Sequence, residues 1–307
     1  MKVYLSNLNE SWVVDRIRKE WYEYNSKTTT NFISRSNIIW IIAPWIWKKI
    51  SKSQLNKKKV LCTIHHINED KFDNNQYQEF LERDSYVDIY HTPSTYSANT
   101  LRKYTNKKIE VLPFWVNQNN WFEINDKEAI RSKYGFNKED YLVGSFQRDT
   151  EGFDLKSPKL EKGPDIFLEI IEKLFMKNPN LIVVLSGKRR QYVINNLEQK
   201  RIPYKYFEMV SIKSLNELYN ILNLYIVSSR TEGGPQAIVE CGRIKTPIIS
   251  TNVGYAPMFM DKNSIFENSN FETASPNANH LHQSTNQLIL PNGIDQFNKM
   301  LKKIYED

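Results

Sequence analysis

The sequence predicts an α/β protein made of two doubly wound domains with parallel sheets. Short apolar runs alternate with longer mixed stretches along almost the whole chain. The runs are nearly continuous in apolar residues, which is typical of strands covered on both faces of a parallel sheet. The alternation also continues for too many strands to form one small domain, and 307 residues are enough for two.

The first half of the chain contains five predicted strands, each a run of three to six mainly apolar residues: Val3–Leu5, Ile38–Ala43, Val60–Ile64, Val87–His91 and Ile109–Leu112. The mixed stretches between them predict helices at Ser11–Tyr24, Gln76–Asp84 and Tyr96–Tyr104. A break is expected near Pro113–Asp126, where a strand ends and a polar segment leads into a new helix.

The second half repeats the pattern, with predicted strands at Tyr141–Phe146, Leu181–Ser186, Tyr206–Met209, Leu224–Val227 and Ile248–Ser250. Predicted helices follow at Lys127–Tyr134, Pro164–Met176, Arg189–Lys200, Ser214–Leu222, Pro235–Arg243 and Gly293–Tyr305. The connection Arg148–Gly163 is unusually long for a strand-to-helix loop, and such loops tend to be functional. The polar stretch Asn268–Gln287 is interpreted as a mobile or wrapping segment.

Composition restricts the classes of partner. The net charge of +7 favours an anionic partner such as a nucleotide, a nucleic acid or a membrane surface, although a coding bias toward Lys, Asn and Ile would give the same charge. No nucleic-acid-binding module is recognisable, which argues against that class. Cys62 and Cys241 have neither the number nor the spacing of a disulfide framework or a zinc site.

No secretory signal is visible, and the longest apolar run, Ile38–Trp47, is too short to span a bilayer. The sequence therefore predicts a cytoplasmic protein. Peripheral membrane contact is an open alternative, because aromatic residues and lysines occur together at Trp45, Trp47, Lys48 and Lys49. A buried strand followed by an exposed basic helix would explain the same residues.

The segment Ser228–Glu240 is the most informative part of the chain. It follows an apolar strand and places Glu232 and Glu240 eight positions apart, with a Gly-Gly-Pro step between them. Glycines let the backbone approach a ligand, and proline suits the first position of a helix whose free N–H groups favour an anion. This pattern indicates a site for a ligand with a diphosphate and several hydroxyl groups.

Other polar residues follow the predicted strands directly, where ligands of doubly wound sheets bind. Gln147 and Arg148 follow one strand, His65 and His66 follow another, and a third is followed by Ser186-Gly187-Lys188-Arg189. Lys156 and Lys162 lie in the long connection. Cations, carboxylates and a histidine are therefore expected on one rim.

At these residues the sequence resembles the retaining glycosyltransferases of family 4, also called group 1 glycosyltransferases. Ser229–Glu240 resembles their Glu-x7-Glu motif, Thr246–Gly254 their Pro-containing strand and loop, and Gly144–Arg148 with Glu161–Asp165 their glycine and Glu-Lys-Gly segments. Val111–Asn117 is similar to a further motif. The resemblance implies a GT-B fold, in which two Rossmann-like domains face each other across a cleft.

The implied domains are a short acceptor-side domain at residues 1–117 and a donor domain at residues 118–290. A C-terminal helix at residues 291–307 would pack back on the first domain. The first half lacks the usual glycine-rich loop after its first strand, and the connection Arg148–Lys162 is longer than the family pattern.

The resemblance also implies roles. Glu240 would accept hydrogen bonds from two ribose hydroxyls, while Glu232 and the Gly233-Gly234-Pro235 backbone would hold the donor sugar and a phosphate oxygen. Arg148 and Lys162 would neutralise the leaving diphosphate, and His65 would contact the donor sugar. Gly144 and Lys188 complete the expected donor-binding set. Lys156 is a rival to Lys162, and His66 is a rival to His65.

The implied function is transfer of a sugar from a nucleotide-sugar, UDP- or GDP-linked, to a glycan or glycolipid acceptor. The anomeric configuration would be retained, with no divalent metal and no other cofactor. An Asp-x-Asp metal motif is lacking, and Asp149-Thr150-Glu151 is the nearest approximation. The alternatives are a non-catalytic GT-B-fold binding or scaffold protein and a GT-B-fold sugar-nucleotide epimerase.

Overall fold

The structure is a computed structural model that describes residues 1–7, 13–267 and 270–306. The chain divides into two compact units: unit 1 comprises Met1–Trp115 and Leu288–Asp307, and unit 2 comprises Val116–Gln287. The predicted domain boundaries at 117/118 and 290/291 stay a prediction. The predicted helix start at Ser11 and part of the loop after the first strand lie outside the described residues.

The sheet of unit 1 is parallel and follows chain order from β1 to β5. Its strands are β1 (Val3–Leu5), β2 (Ile38–Ile41), β3 (Lys59–Thr63), β4 (Ile89–Thr92) and β5 (Lys108–Val111). Its helices include α1 (Val13–Tyr24), α2 (Lys52–Leu55), α3 (Asn74–Asp84) and α4 (Thr95–Leu101). Val3 pairs with Ile38 in the sheet and also forms a bridge with Thr29, just outside the named strands.

Unit 2 contains a second parallel sheet, in the order β10-β9-β6-β11-β12-β13. The strands are β6 (Tyr141–Ser145), β9 (Leu181–Ser186), β10 (Tyr204–Phe207), β11 (Leu224–Val227), β12 (Ile248–Thr251) and β13 (Ile265–Phe266). The strand order reverses at β6, which is the arrangement of a doubly wound sheet, and ligands of such sheets bind at the reversal.

In unit 2, α5 (Lys127–Lys133) precedes the first strand and α11 (Ala278–Ser284) follows the last. The helices between the strands are α6 (Pro164–Lys177), α7 (Gln191–Gln199), α8 (Ile212–Ile221), α9 (Gln236–Ile244) and α10 (Ala256–Phe259). The long connection after β6 contains a small antiparallel hairpin, β7 (Thr150–Glu151) and β8 (Ser157–Pro158). Part of the stretch interpreted as mobile or wrapping is thus helical, since α11 packs on α9 and buries Leu281.

The last helix, α12 (Asn292–Glu306), belongs to unit 1. Its buried face includes Phe297, whose ring stacks on Trp40 with centroids 5.3 Å apart and on Phe114 at 5.5 Å. Strand β2 is buried at every position, which explains its continuous apolar sequence. In the part of the chain that is described, no helix is long and apolar enough to cross a membrane.

Candidate active site

The Gly-Gly-Pro segment connects the end of β11 to α9 in unit 2. Pro235, predicted as the first helical residue, is instead the N-cap residue of α9, which begins at Gln236, and no side chain caps this helix start. A Cβ at Gly234 would lie 2.7 Å from the Tyr255 ring, so only glycine lets the segment pass there. The N-terminus of α9 is therefore suited to an anion.

Lys162 and Glu232, two of the predicted catalytic residues, form an ion pair in unit 2. Lys162 Nζ lies 2.5 Å from Glu232 Oε1, and both side chains are largely buried. The Lys162 carbonyl also accepts hydrogen bonds from Gln147 Nε2 at 2.9 Å and Ser228 Oγ at 3.2 Å. The long connection is thereby attached to the carboxyl ends of both β6 and β11.

Two further contacts hold the end of the connection and the start of α6 against the Glu232 loop. Arg230 makes a two-pronged ion pair with Asp165, with nitrogen–oxygen distances of 2.7 and 2.5 Å, and holds the pKa of that carboxyl below its usual value. Gly163 has a left-handed backbone, and a Cβ there would lie 1.9 Å from the Ser228 carbonyl oxygen. Glycine is therefore required at this contact by both conformation and space.

Glu240 is buried in α9 and accepts a hydrogen bond from the Tyr219 hydroxyl at 3.0 Å. Burial raises the pKa of Tyr219 well above its ordinary value, so its hydroxyl stays a donor. The predicted ribose-binding carboxylate thus has a fixed orientation. Sequence reasoning did not single out Tyr219, because a separation of 21 residues carries no geometric signal.

Arg148 is exposed at the end of β6, and its Nε donates to the Thr150 carbonyl at 3.0 Å. Its two terminal nitrogens make no hydrogen bond to any residue that the structure describes. Partial burial lowers the pKa of Arg148, and the charge of neighbouring Arg189 lowers it further. The charges of Glu151 and Glu161 act on Arg148 in the opposite direction.

Arg190, next to Arg189 in sequence, was missed as a site residue. It is fully buried, with Nε 2.5 Å from Asp149 Oδ2, and it donates to the Ser186 carbonyl at 2.8 Å and to the Ser145 carbonyl. It therefore ties the carboxyl ends of β6 and β9 together. Asp149, the nearest approximation to a metal motif, is engaged in this pair.

The other residues predicted to bind the donor take no part in the contacts described above. Gly144 lies inside β6, where a Cβ would come 2.3 Å from Leu222 Cδ1, so strand packing accounts for the glycine. Lys188 is exposed and forms no ion pair with a described residue. Lys156 is exposed in the turn between β7 and β8, whereas Lys162 is held by Glu232.

His65 follows β3 in unit 1. Its Nε2 lies 2.9 Å from the Ile42 carbonyl, which can only accept, so Nε2 carries a proton. Its ring stacks on Phe114, with centroids 5.8 Å apart, and Ser97 Oγ donates to its carbonyl. His66 is also half-buried. The structure thus gives His65 a fixed ring, while the choice between the two histidines stays a prediction.

The structure contradicts the predicted membrane contact for one residue, Trp47. Trp47 is 1% exposed, contacts Tyr86 and donates from Nε1 to Glu79 at 3.3 Å, so its side chain cannot reach a membrane surface. The prediction was wrong for this residue because the short helix containing it turns Trp47 into the core. Trp45 and Lys48 are exposed, as is Lys49, and membrane contact through them stays a prediction.

Within residues 1–7, 13–267 and 270–306, no group of three or more histidine, cysteine, aspartate or glutamate side chains could hold a metal ion. The metal-independent reaction stays a prediction.

Comparison with known proteins identifies the family. The family model described as glycosyl transferases group 1 matches residues 126–306, which is more than half of the chain. A search of curated proteins found no match.

Solved structures show the fold. HepE from Anabaena, crystallised with UDP and glucose, has a TM-score of 0.75 and 12% identity, with 98% of each chain covered. Sucrose-phosphate synthase from Thermosynechococcus elongatus has a TM-score of 0.71 and 12% identity, and the match covers 98% of this chain and 81% of the synthase chain. A glycosyltransferase from Rickettsia africae has a TM-score of 0.64 and 16% identity, and the match covers 98% of this chain and 84% of the Rickettsia chain.

The matched region contains the Lys162–Glu232 pair and the Glu240 helix, and both units contain parallel sheets. The chain therefore belongs to the group 1 glycosyltransferases and has the GT-B fold.

Proposed function

We propose that this protein transfers a sugar from a nucleoside-diphosphate sugar, UDP- or GDP-linked, to a glycan or glycolipid acceptor with retention of configuration. The observation that carries the proposal is the arrangement around α9. Lys162 is paired with Glu232 beside a helix start without a side-chain cap, and buried Glu240 lies further along the same helix. The crystal structures of the Anabaena protein with UDP and glucose and with UDP-glucose support a donor of this class.

The reaction breaks the bond between the anomeric carbon and the diphosphate, so negative charge develops on the leaving group. Lys162, Arg148 and the first N–H groups of α9 would stabilise that charge. When the diphosphate binds, it would compete with Glu232 for Lys162 and release the carboxylate toward the sugar hydroxyls. Glu240 would accept hydrogen bonds from the ribose, because a carboxylate offers several acceptor sites to a cis-diol.

Retention fits a front-face transfer in which the leaving diphosphate accepts the proton of the acceptor hydroxyl. His65 of unit 1 would be a further sugar-binding residue, and its ring orientation is fixed by its contacts with Ile42 and Phe114.

The test is release of nucleoside diphosphate from UDP-, GDP- and ADP-sugars by the purified chain. Lys162→Ala should lower the rate by on the order of 100-fold or more, as expected for loss of a group that stabilises transition-state charge. Lys156→Ala is the matched control and should leave the rate nearly unchanged. Glu232→Ala and Arg148→Ala should abolish release while the melting temperature stays close to that of the wild type.

Three outcomes would contradict parts of the proposal. Nucleotide binding without turnover on any donor would favour a binding or scaffold protein. Equal losses in Lys162→Ala and Lys156→Ala would remove the assigned role of the Lys162–Glu232 pair. Loss of activity on treatment with EDTA, restored by a divalent cation, would overturn the metal-independent mechanism.

A further inference from the structure

We propose that unit 1 contains a binding site for an acidic oligosaccharide, separate from the donor site. The site is a concavity of about 450 Å³ whose lining includes Lys2, Tyr22, Thr29, Thr30, Phe32 and Arg35. Its volume falls in the usual range of ligand pockets. The proposal goes beyond sugar transfer, because it concerns binding alone and is tested without a donor.

The concavity lies at the amino end of the unit 1 sheet. Lys2 precedes β1, Thr29 forms a bridge with Val3 of β1, and Arg35 precedes β2. His65 instead follows the carboxyl end of β3. The concavity and the predicted catalytic histidine are therefore at opposite edges of the same parallel sheet.

Every charged residue in the described lining is a cation. Arg35 packs over the Phe32 ring, 5.0 Å from its centroid, and has no carboxylate partner among the residues that the structure describes. Lys2 Nζ donates to the Lys27 carbonyl at 2.6 Å, again without a carboxylate in the described part of the chain. Cations without anionic partners beside a concavity favour a ligand that carries carboxylate or another acidic group.

The remaining lining residues suit a sugar. Phe32 is 60% exposed, so the part of its ring that Arg35 does not cover offers apolar surface on which a sugar can pack. Hydroxyl and amide groups belong to the same lining, and the Tyr22 hydroxyl is held by a hydrogen bond to the Thr30 carbonyl at 3.1 Å. A bare phosphate would use the cations but not the ring or the hydroxyls. A lipid surface would need more exposed apolar area than one phenylalanine provides.

The test is isothermal titration calorimetry with the full chain and two probes of equal length. The acidic probe is a hyaluronan hexasaccharide, and the neutral probe is a chitin hexasaccharide. The acidic probe should bind and the neutral probe should bind at least about tenfold more weakly, since only the acidic probe uses the cations. Arg35→Gln should weaken acidic binding by roughly tenfold or more, as expected for loss of a charge-assisted contact. Phe32→Ala should weaken binding of the same probe.

Matched controls are available in the chain. Arg102→Gln removes an exposed arginine of unit 1 outside the lining, and Phe122→Ala removes a comparably exposed phenylalanine of unit 2. Both should bind the acidic probe as the wild type does. Donor hydrolysis by Arg35→Gln should stay at the wild-type rate, which separates this site from the proposed reaction.

Equal binding by Arg35→Gln and Arg102→Gln would overturn the proposal, because it would indicate general attraction to a basic protein. Equal binding of the neutral and acidic probes would also overturn it. Full competition by millimolar inorganic phosphate would assign the site to phosphate instead. Binding confined to phosphatidylglycerol vesicles, lost in Arg35→Gln, would assign it to a membrane surface.

Discussion

At the residue scale, the Tyr219–Glu240 contact is the most consequential detail that the structure adds to the candidate site. Both side chains are buried, and the hydroxyl donates to Oε2 at 3.0 Å. In the proposed function Glu240 accepts hydrogen bonds from two ribose hydroxyls, which requires a defined orientation of its carboxylate, and the hydrogen bond from Tyr219 fixes that orientation. Tyr219 is therefore a positioning residue: it orients Glu240 and would not itself contact the nucleotide.

Tyr219→Phe should weaken binding of the preferred nucleoside diphosphate by roughly threefold to tenfold, because the variant loses one hydrogen bond that orients Glu240. The variant keeps the ring and therefore its packing against Trp121 and Phe146. Binding of the 2′,3′-dideoxy nucleotide should be unchanged, because that ligand lacks the hydroxyls that are proposed to donate to Glu240. Equal weakening for both nucleotides would show that Tyr219 has a structural role only.

His91 is a buried polar residue whose protonation state is determined by its neighbours. Its Nε2 lies 2.7 Å from the Leu112 carbonyl and must donate, so Nδ1 accepts from the Thr63 hydroxyl at 2.9 Å. The Thr63 oxygen in turn accepts from Trp40 Nε1 at 2.8 Å. Burial lowers the pKa of His91 to about 3, so the folded protein holds this histidine neutral.

This lowered pKa predicts a loss of stability in acid. Between pH 6.5 and about 3 the unfolded chain binds a proton at His91 that the folded chain does not. The free energy of unfolding should therefore fall with decreasing pH, by at most about 1.4 kcal/mol per pH unit from this residue. Urea titrations of wild type and His91→Gln should show a stability gap that narrows from about pH 7 to about pH 4.

The matched control is His280→Gln, which changes an exposed histidine. Its stability curve should run parallel to that of the wild type. A gap between wild type and His91→Gln that stays constant with pH would show that His91 is not held neutral.

At the scale of elements, the contact between the long connection and the end of β11 determines the geometry of the candidate site. Gly163→Ala would place a methyl group 1.9 Å from the Ser228 carbonyl oxygen at a residue with φ of +57°. We expect a lower melting temperature, a stability loss of about 1–3 kcal/mol or more, and strongly reduced donor hydrolysis, because Lys162 would shift from Glu232.

Gly152→Ala is the control for this prediction. Gly152 also has a positive φ, of +78°, but the nearest neighbour of an added methyl group would be the flexible Asp154 carboxylate in the β7–β8 turn. That variant should be strained locally and keep most of its activity. Equal activity losses in both variants would show that backbone strain, and not the contact with Ser228, matters.

The sequence predicted elements well where burial makes a run continuously apolar, as in β2 and β9. It failed where an element is short or polar. The predicted strand at Tyr206–Met209 was displaced, since the strand lies at Tyr204–Phe207 and the Glu208 carbonyl bonds instead to the Gly187 N–H. The two-residue strands β7 and β8 show no periodicity, and α11 buries only Leu281.

The candidate site was likewise predicted in some parts and missed in others. Glu232 and Glu240 were recognisable because their spacing is local and the turn between them needs glycine. The motif resemblance gave Lys162 and Glu232 separate roles in one site but did not predict their ion pair, since the two residues are far apart in the chain and no local rule brings them together. Arg190 was missed because consecutive cations after a strand are usually solvated. Only the structure shows that one of them turns inward to Asp149.

At the scale of the whole molecule, each unit has its own core, and the core of unit 1 depends on a helix from the far end of the chain. Phe297 of α12 is fully buried and stacks on Trp40 and Phe114. The core of unit 2 is made of other residues, including Phe271. The two units should therefore respond separately to core mutations.

Phe297→Ala should destabilise unit 1 by about 3–5 kcal/mol, the usual cost of removing a buried phenylalanine ring. All tryptophans except Trp121 precede Val116, so tryptophan fluorescence reports mainly on unit 1. The midpoint of its urea transition should fall, and hydrogen exchange should quicken in β2 while β9 keeps its protection. Phe271→Ala should give the reverse pattern. Equal loss of protection in β2 and β9 would show that the units unfold as one cooperative body.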